Sequence, residues 1–576
     1  MAITSAVNIK EVSAKLKYRI DKVDSEGLPV PHSSPGNGPS AICLSYILSG
    51  HRPYIKNGAV HPNPILQKKL QQIGDCPLLD QDLEYLAEGV EGRSQNPMAV
   101  LFDSLVRPDR DFGGTADSVL TWKEDHKDHI QHLVLGKGPP GGSWHSFDGS
   151  MTTLSLGEWM ELPGLNFRDW IRRKGRNLRN DRATTKDVAQ YYQHYVKVMG
   201  LKKYFASGTL VTSVKPVDLS SLQRTSLSLH STEDLSKKLY EIKGVCLSKE
   251  APETPFCVYA ENVVLATGTY DSPAHLGVDG EDFPFVYHKI SDLESAVEEQ
   301  RLGPNSDPIL VVGAGLTAAD AVLLAHHRNV PVLHTFRRGL NDLGLIFNQL
   351  PQMMYPEYHK VHQMMREQCC PPCKCYSGYR SFPLHHVKSF SSDKTCVLES
   401  TKEGKKVFRI SMAFVLIGSN PNLSFLANSG KHLTVDQEHE VNCKRNPIDT
   451  HPFTYESLQE PGLYAMGPLA GDSFVRFLQG GALAVTASLV KKRKVQTVRP
   501  PLIKGSAMRC IINVGVEMGR RTRTKQPQWL SEMLLVASAQ REPLWRRVLR
   551  ICGSQVQFYG CTITSKTPYF KLDSYS

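Results

Sequence analysis

One stretch of the chain, "DPILVVGAGLTAADAVLLAHHRNVPVLHTFRR" at residues 307–338, limits its fold more than any other. Residues 309–312 form an apolar run that is short enough for a buried parallel strand. The run leads into a turn of the form Gly313-x-Gly315-x-x-Ala318. In such a turn the first glycine permits the tight bend and the second lets the backbone approach a pyrophosphate, while the alanine allows the helix to pack closely on the strand. The stretch therefore predicts a Rossmann-like domain of the α/β class.

The residues after this turn indicate which nucleotide the domain binds. A helix from residue 316 to about 326 would direct its positive N-terminal end at the phosphates, and a second strand follows at residues 330–336. At the end of such a strand an NAD site carries a carboxylate, whereas an NADP site carries cations for the 2′-phosphate. Here Arg337 and Arg338 follow the strand, and the first acid is Asp342. NADPH is therefore favoured over NADH; the alternative is that the arginines merely cap a strand in solvent.

A second turn of the same type, Gly36-x-Gly38-x-x-Ala41, lies near the start of the chain and suggests a second nucleotide-binding unit. A helix should follow it over residues 41–48. The sequence before the turn does not fit, because three prolines and two serines between residues 28 and 35 replace the expected apolar strand. We therefore expect residues 1–35 to form an irregular N-terminal segment, and the central sheet of this domain to lack its middle strand.

Three further segments suit a flavin site built around the first turn. In "GGSW", Gly142 lets the backbone pass close to a ring system, and Trp144 supplies an aromatic plate beside it. The run "NVVLATG" is an apolar strand that ends in a small-residue turn at Gly268. Gly471 and Asp472 precede a predicted helix, where the carboxylate suits hydrogen bonds to the hydroxyls of a ribityl chain.

In this order the segments resemble the flavin-dependent monooxygenase-like proteins with two dinucleotide-binding domains. The chain is more closely similar to the oxidative-stress-induced growth inhibitor family. The resemblance covers about residues 36–490 and is carried by the stretches "GNGPSAICLSYILSG", "DQDLEYLAEGVEGRSQNP", "GKGPPGGSWH", "NVVLATGTYDSPAHL", "GAGLTAADAVL", "FNQLPQMMYPEYHKVHQMM" and "GLYAMGPLAGDSFVRFLQGGALAV".

The resemblance implies an FAD-binding domain at residues 36–290 and 411–495, with an NADPH-binding Rossmann domain inserted at 291–410. It implies FAD and NADPH as cofactors, hydride transfer between them and then reaction with oxygen, chemistry that the flavin itself carries. The function implied is that of an NADPH-dependent monooxygenase that regulates proliferation, cell death or cytokinesis under oxidative stress. Its substrate, a small molecule or a protein, is not indicated. The alternative is a catalytically weak regulator that keeps the fold and acts through protein partners.

Two residues are candidates for a catalytic role. His288 lies where related monooxygenases place a histidine motif, and the alternative is a core or surface histidine. Arg476 follows the second flavin segment and could hold an oxygenated flavin or a nicotinamide, and the alternative is a structural ion pair. A ribose-binding acid is expected about 20 residues beyond the first glycine turn, yet residues 52–70 contain no acid.

The 13 cysteines show no framework spacing and indicate reduced thiols in an intracellular protein. Four of them crowd into residues 369–375 without a second C-x-x-C, so we predict an oxidisable loop and no metal site. A disulfide reductase needs a pair of redox cysteines near the flavin, and Cys43 stands alone in the first helix. That branch of flavoproteins is therefore disfavoured.

The net charge of +11 is concentrated at the C-terminus, because residues 491–576 hold 17 Lys and Arg against 4 Asp and Glu. Residues 496–576 are predicted to be a poorly ordered basic extension that can contact acidic partners, nucleic acid or anionic lipid, or direct nuclear import. The sequence contains no apolar run of about 18 residues and no signal peptide pattern. We expect a cytoplasmic protein, with the nucleus or midbody as alternatives.

Overall fold

The computed structural model describes residues 2–7, 36–125, 129–147, 151–178, 181–218, 238–247, 253–367 and 378–498. Within these ranges the α-helices are α1 (Pro39–Leu48), α2 (Pro64–Leu70), α3 (Leu83–Ala87), α4 (Pro97–Val106), α5 (Phe167–Arg173), α6 (Thr185–Val198), α7 (Ile290–Glu298), α8 (Leu316–His327), α9 (Pro356–Glu367) and α10 (Val475–Val498). None of these helices is long and apolar enough to cross a membrane.

The strands of the described residues lie before or between these helices, singly or in runs. They are β1 (Ala2–Val7), β2 (His51–Ile55), β3 (Leu120–Glu124), β4 (His132–Gly136), β5 (Thr152–Leu156), β6 (Arg182–Thr184), β7 (Phe205–Ser207), β8 (Thr209–Asp218), β9 (Lys238–Cys246), β10 (Thr254–Leu265), β11 (Ser272–Pro273), β12 (Val286–Tyr287), β13 (Ile309–Val312), β14 (Val332–Phe336), β15 (Tyr379–Pro383), β16 (His386–Phe390), β17 (Thr395–Ser400), β18 (Gly404–Arg409), β19 (Ala413–Val415), β20 (Ser419–Asn420) and β21 (Leu463–Ala465).

The first domain is built around a seven-stranded sheet of order β7-β4-β1-β10-β9-β8, with β21 also paired to β10. Successive side chains of a strand face opposite sides of a sheet. Val134 and Val264 accordingly join a core formed with α1, α4, α6 and α10 on one face. Their neighbours Leu133 and Val263 join a second core on the other face. All nine residues from 40 to 48 are buried, so α1 is the central helix of this domain.

The expectation of an irregular N-terminus is wrong for residues 2–7. They form β1, which lies between β4 and β10 and pairs antiparallel with both, with Ala2 opposite Val134 and Val264. The middle position of the sheet is therefore filled, and the backbone groups of its two neighbours are paired. The first strand of a Rossmann unit would run the other way and lead directly into the glycine turn. Here the connection, residues 8–35, lies outside the described residues.

The second domain is inserted between β10 and β21. Its parallel sheet has the order β12-β19-β13-β14-β15. Helices α7, α8 and α9 cover one face, and the antiparallel strands β16, β17 and β18 cover the other. The predicted βαβ unit is confirmed as β13, α8 and β14. The domain is slightly longer than the predicted range 291–410, because β12 and β19 belong to its sheet.

The two domains are joined by two crossings of the chain, and these crossings pair with each other. Ser272 in the first lies opposite Asn420 in the second, in the short antiparallel pair of β11 and β20. An ion pair of 2.6 Å between Arg182 and Glu357 forms a further contact between the domains. The predicted α/β fold with two Rossmann-like domains, one inserted into the other, is confirmed.

Candidate functional site

The first glycine turn is held by the segment after β4. The Asn37 side chain donates a 2.6 Å hydrogen bond to the Gly138 carbonyl, and the Asn37 carbonyl accepts one of 3.0 Å from the Gly141 amide. Gly136 is required here, because a Cβ atom at that position would overlap the Asn37 side chain. Gly38 then caps α1 with extended backbone. The turn is thus anchored without a strand leading directly into it. Sequence reasoning missed Asn37, which shows no signal beyond its place between two glycines.

Space for a ligand lies in front of this turn. A Cβ atom on Gly38 or on Gly268 would meet no described atom within 4 Å. Two buried side-chain oxygens, Asn37 Oδ1 and Thr267 Oγ1, have no hydrogen-bond partner among the described residues. Buried polar atoms are rarely left unpaired in a folded protein. Open space beside glycines and unpaired polar atoms together fit a site for a dinucleotide.

The later flavin segments meet at the same edge of the sheet. β10 and β21 run parallel, with Leu265 opposite Ala465, so the turns that follow them are neighbours. The Met466 amide donates a 3.0 Å hydrogen bond to the Leu265 carbonyl. Gly467 has a φ of +67° and lies so close to Ser40 that a Cβ atom there would overlap its hydroxyl. The structure therefore brings the predicted segments around Gly38, Gly268 and Gly471 together at the start of α1.

Asp472 is fully buried at the end of the last of these turns, and its carboxylate accepts three hydrogen bonds. Oδ1 accepts from the Ser94 hydroxyl at 3.0 Å and the Asn96 amide at 2.9 Å, and Oδ2 accepts from the Tyr455 hydroxyl at 2.7 Å. Burial raises the pKa of Asp472 to about 6, although these three hydrogen bonds lower it. A carboxylate has about four acceptor positions, so these contacts leave one position on Oδ2 unused. Sequence reasoning missed the three donors, although two of them lie in the quoted stretch that ends in "RSQNP".

Gly142 and Trp144 lie beside the same turn. Gly141 and Gly142 both have positive φ values, +119° and +64°, which favour glycine. The Trp144 ring is 5.7 Å from the Phe147 ring, which in turn is 4.5 Å from the Tyr270 ring. A row of aromatic side chains therefore connects the "GGSW" segment with the residues that follow Gly268.

The second glycine turn has the geometry predicted from its sequence. Gly313 has a φ of +128°, and a Cβ atom there would overlap the Leu416 carbonyl. Gly315 caps α8, and a Cβ atom on it would meet no described atom within 4 Å. Ala318 is fully buried in the core that α8 forms with the sheet. The turn is therefore tight on the strand side and open at the helix N-terminus, where a pyrophosphate would bind.

His334 in β14 holds this turn, and sequence reasoning missed it. Its Nε2 lies 2.6 Å from the Gly313 carbonyl, and its Nδ1 lies 2.8 Å from the Tyr379 hydroxyl. Burial lowers the pKa of His334 to about 4, although the hydrogen bond to Gly313 opposes the shift. Because a carbonyl only accepts hydrogen bonds, the neutral ring must carry its proton on Nε2. Its Nδ1 then accepts a hydrogen bond from the Tyr379 hydroxyl.

Arg337 and Arg338 lie at the carboxyl end of β14, as predicted, and both are exposed. Arg338 forms a 3.1 Å ion pair with Asp342, the first acid after the strand. Two cations therefore stand near the open turn, and one of them is partly neutralised.

Arg476 has the contacts of a structural residue. Its guanidinium group pairs with the Asp103 carboxylate and, at 3.0 Å, with Asp111, and lies 4.6 Å from the Trp159 ring. These carboxylates accept from four of its five N–H bonds. The side chain is almost completely buried, so the structure favours the ion-pair alternative over a catalytic role.

The structure groups His288, the other catalytic candidate, with His275 and Glu281 in the first crossing between the domains. Cys43 is fully buried in α1, and burial raises the pKa of its thiol, which opposes a redox role. The cysteine run at 369–375 and the extension from residue 499 lie outside the described residues.

Relatives of the chain are known by sequence, although no family model matches it. "Oxidative stress-induced growth inhibitor 1" of Mus musculus is 53% identical over 83% of this chain and 98% of the relative. "Oxidative stress-induced growth inhibitor 2" of Homo sapiens is 52% identical over 80% of this chain and 93% of the relative.

Solved structures with a similar fold are more distant. The bacillithiol disulfide reductase Bdr of Bacillus cereus has a TM-score of 0.46 and 15% identity, covering 69% of this chain and 96% of that one. The ornithine hydroxylase of Pseudomonas aeruginosa has a TM-score of 0.44 and 12% identity, covering 68% of this chain and 97% of that one.

Proposed function

The chain belongs to the oxidative stress-induced growth inhibitor family, and we propose that it is an NADPH-dependent flavin monooxygenase that acts in growth control under oxidative stress. One observation carries the proposal. The segments around Gly38, Gly268 and Gly471 meet at one edge of the sheet, with open space and unpaired buried oxygens in front of them. FAD is the dinucleotide that the aromatic row and the buried Asp472 suit best.

FAD would bind with its pyrophosphate at the N-terminal end of α1, where unpaired amides and the helix dipole favour an anion. Asn37 Oδ1 and Thr267 Oγ1 would gain polar partners, and the remaining acceptor position of Asp472 would bind a ribityl hydroxyl. Trp144 would lie beside the flavin ring. When bound, FAD supplies hydride acceptance and the reaction with oxygen, while the protein positions rings and excludes water.

NADPH would bind across Gly315, with its pyrophosphate at the N-terminal end of α8. Arg337 and Arg338 would contact the 2′-phosphate that distinguishes NADPH from NADH. The neutral His334 occupies the Gly313 carbonyl with a hydrogen bond, which would leave the amide groups of the turn to face the anion.

A second candidate function is a regulator that keeps the fold, has little catalytic activity and acts through protein partners. It is favoured by β1, whose direction differs from that of a Rossmann first strand. In that case the basic extension from residue 496 would contact acidic partners. A cytoplasmic location and a role in cell death or cytokinesis remain predictions under both functions.

Visible absorbance of the purified full-length chain separates the two functions. The enzyme should carry the absorbance bands of oxidised flavin and lose them when NADPH is added without oxygen. Reduction by NADH at the same concentration should be slower. A chain that binds flavin but is not reduced by either nucleotide would support the regulator, and a chain that takes up no FAD would refute the flavoprotein.

A further inference from the structure

Three side chains that can bind a metal converge in the first crossing between the domains. His275 Nδ1 lies 3.4 Å from Glu281 Oε1, and His288 Nε2 lies 3.8 Å from the same oxygen. The three potential ligand atoms all lie within 4.8 Å of one another. None of the hydrogen bonds described above for the two glycine turns involves these residues, so the group is distinct from the turns.

The two separations from Glu281 lie near those between the ligand atoms of a tetrahedral metal ion. Zinc bonds histidine nitrogen and carboxylate oxygen at about 2.0–2.1 Å, which places two tetrahedral ligand atoms roughly 3.3 Å apart. Of the two separations measured from Glu281 Oε1, that to His275 Nδ1 is close to this value and that to His288 Nε2 is about 0.5 Å longer. Two histidines and one carboxylate are also a set of three protein ligands that zinc accepts with water in the fourth position.

The carboxylate is fixed in place before any ion binds. Glu281 is buried, and its two oxygens accept hydrogen bonds from the Leu276 amide at 2.8 Å and the Gly277 amide at 2.7 Å. The loop that provides these amides bends at Gly280, with a φ of +79°, and lies against the Phe390 carbonyl. Such outer contacts orient a ligand and are typical of metal sites.

The charges and the exposure around the group also suit a cation. The Glu281, Asp282 and Asp292 carboxylates all act electrostatically on His288. The His288 side chain is mostly buried, with a buried Nδ1, whereas the His275 side chain is 56% exposed. An ion could therefore enter from solvent at His275 and be held between a rigid carboxylate and a buried imidazole.

We propose that His275, Glu281 and His288 bind one Zn²⁺ ion, with water as the fourth ligand. The ion would fasten the loop after β11 to the start of the second domain, and so brace the first crossing between the domains. The sequence predicted no metal site, because these residues share no recognised spacing and meet only when the loop turns back. The site does not depend on binding of FAD or NADPH.

Zinc binding to the full-length protein tests this site. The protein is stripped with a chelator and titrated with Zn²⁺, and bound zinc is counted by elemental analysis after desalting. We expect one equivalent in the wild type, and an affinity at least about 100-fold weaker in His275→Ala and in His288→Ala. His439→Ala removes an exposed histidine elsewhere and should bind zinc as the wild type does.

Two further measurements separate this site from the cysteine run at 369–375. A variant with all four of those cysteines replaced by serine should keep one ion. Co²⁺ bound in place of zinc should give tetrahedral absorbance without a thiolate charge-transfer band. The proposal is overturned if the wild type binds no zinc, if the histidine variants bind it as tightly as the wild type, or if the serine variant loses the ion. His275 is exposed, so the His275→Ala variant should fold and remain informative if His288→Ala does not.

Discussion

His334 offers a quantitative test of how the second glycine turn is held. Replacing it with phenylalanine keeps a ring of similar size but removes the hydrogen bonds that His334 makes with the Gly313 carbonyl and the Tyr379 hydroxyl. Leaving the buried carbonyl unpaired costs about 1–3 kcal/mol, and the lost hydrogen bond of the tyrosine adds about 1 kcal/mol. At neutral pH we therefore expect His334→Phe to lower the free energy of unfolding by roughly 2–4 kcal/mol.

The effect of this substitution should depend on pH. Burial lowers the pKa of His334 from 6.5 to about 4, so between these values the unfolded chain binds a proton that the folded chain does not. The wild type therefore loses stability as the pH falls through this window, by about 3 kcal/mol in total and about 2 kcal/mol at pH 5. The phenylalanine variant lacks this loss. The difference in free energy of unfolding between the two proteins should therefore shrink by about 2 kcal/mol at pH 5.

Urea unfolding at about pH 7.5 and about pH 5, followed by circular dichroism, measures both gaps. Other acid-sensitive groups, including the buried His132, are present in both proteins and cancel in the comparison. His439→Phe, at an exposed position, serves as the control and should show no gap at either pH. An equal gap between wild type and His334→Phe at both pH values would contradict the assignment of a buried, neutral histidine.

Three further predictions concern the cofactor sites and the buried Arg476. Gly38→Ala and Gly315→Ala should fold normally, since a Cβ atom meets open space at both positions. The first variant should lose FAD binding and the second NADPH binding. Normal binding would show that the open space is not the cofactor site. The double variant Arg337→Ala/Arg338→Ala should weaken NADPH at least about tenfold more than NADH in a binding titration, because only NADPH carries the 2′-phosphate, and equal losses would contradict this role. Arg476→Met should lower the free energy of unfolding by about 2–3 kcal/mol, less than the roughly 3–5 kcal/mol of a fully unpaired buried charge, because Asp103 and Asp111 keep ion pairs of 3.3 Å with Arg107 and Arg93; unchanged stability with impaired turnover would restore its catalytic candidacy.

The sequence predicted the second βαβ unit closely because all of its parts are local. An apolar run, a glycine turn and a helix are consecutive, and each has its own pattern. The order of the flavin segments was also predictable, although their meeting at Gly38 depends on pairing between β10 and β21, nearly 200 residues apart along the chain.

Contacts between distant residues could not be predicted. The sequence of β1 gives no sign of a strand that enters the sheet antiparallel between β4 and β10, and an irregular segment was expected there. His334 is an ordinary strand residue in the sequence, and its role comes from partners 21 and 45 residues away. Arg476 forms its ion pairs with carboxylates that lie about 370 residues earlier in the chain, so its structural role could not be read from neighbouring residues.

The central claim is that this chain holds FAD at the Gly38 turn, although β1 runs opposite to the usual first strand. The most direct test is the amount of flavin released by heat from the purified full-length protein, measured by fluorescence per mole of chain. We predict about one flavin per chain in the wild type and almost none in Gly38→Ala at an unchanged melting temperature. A wild type that takes up no flavin from excess FAD, or a Gly38→Ala variant that keeps a full equivalent, would contradict the claim.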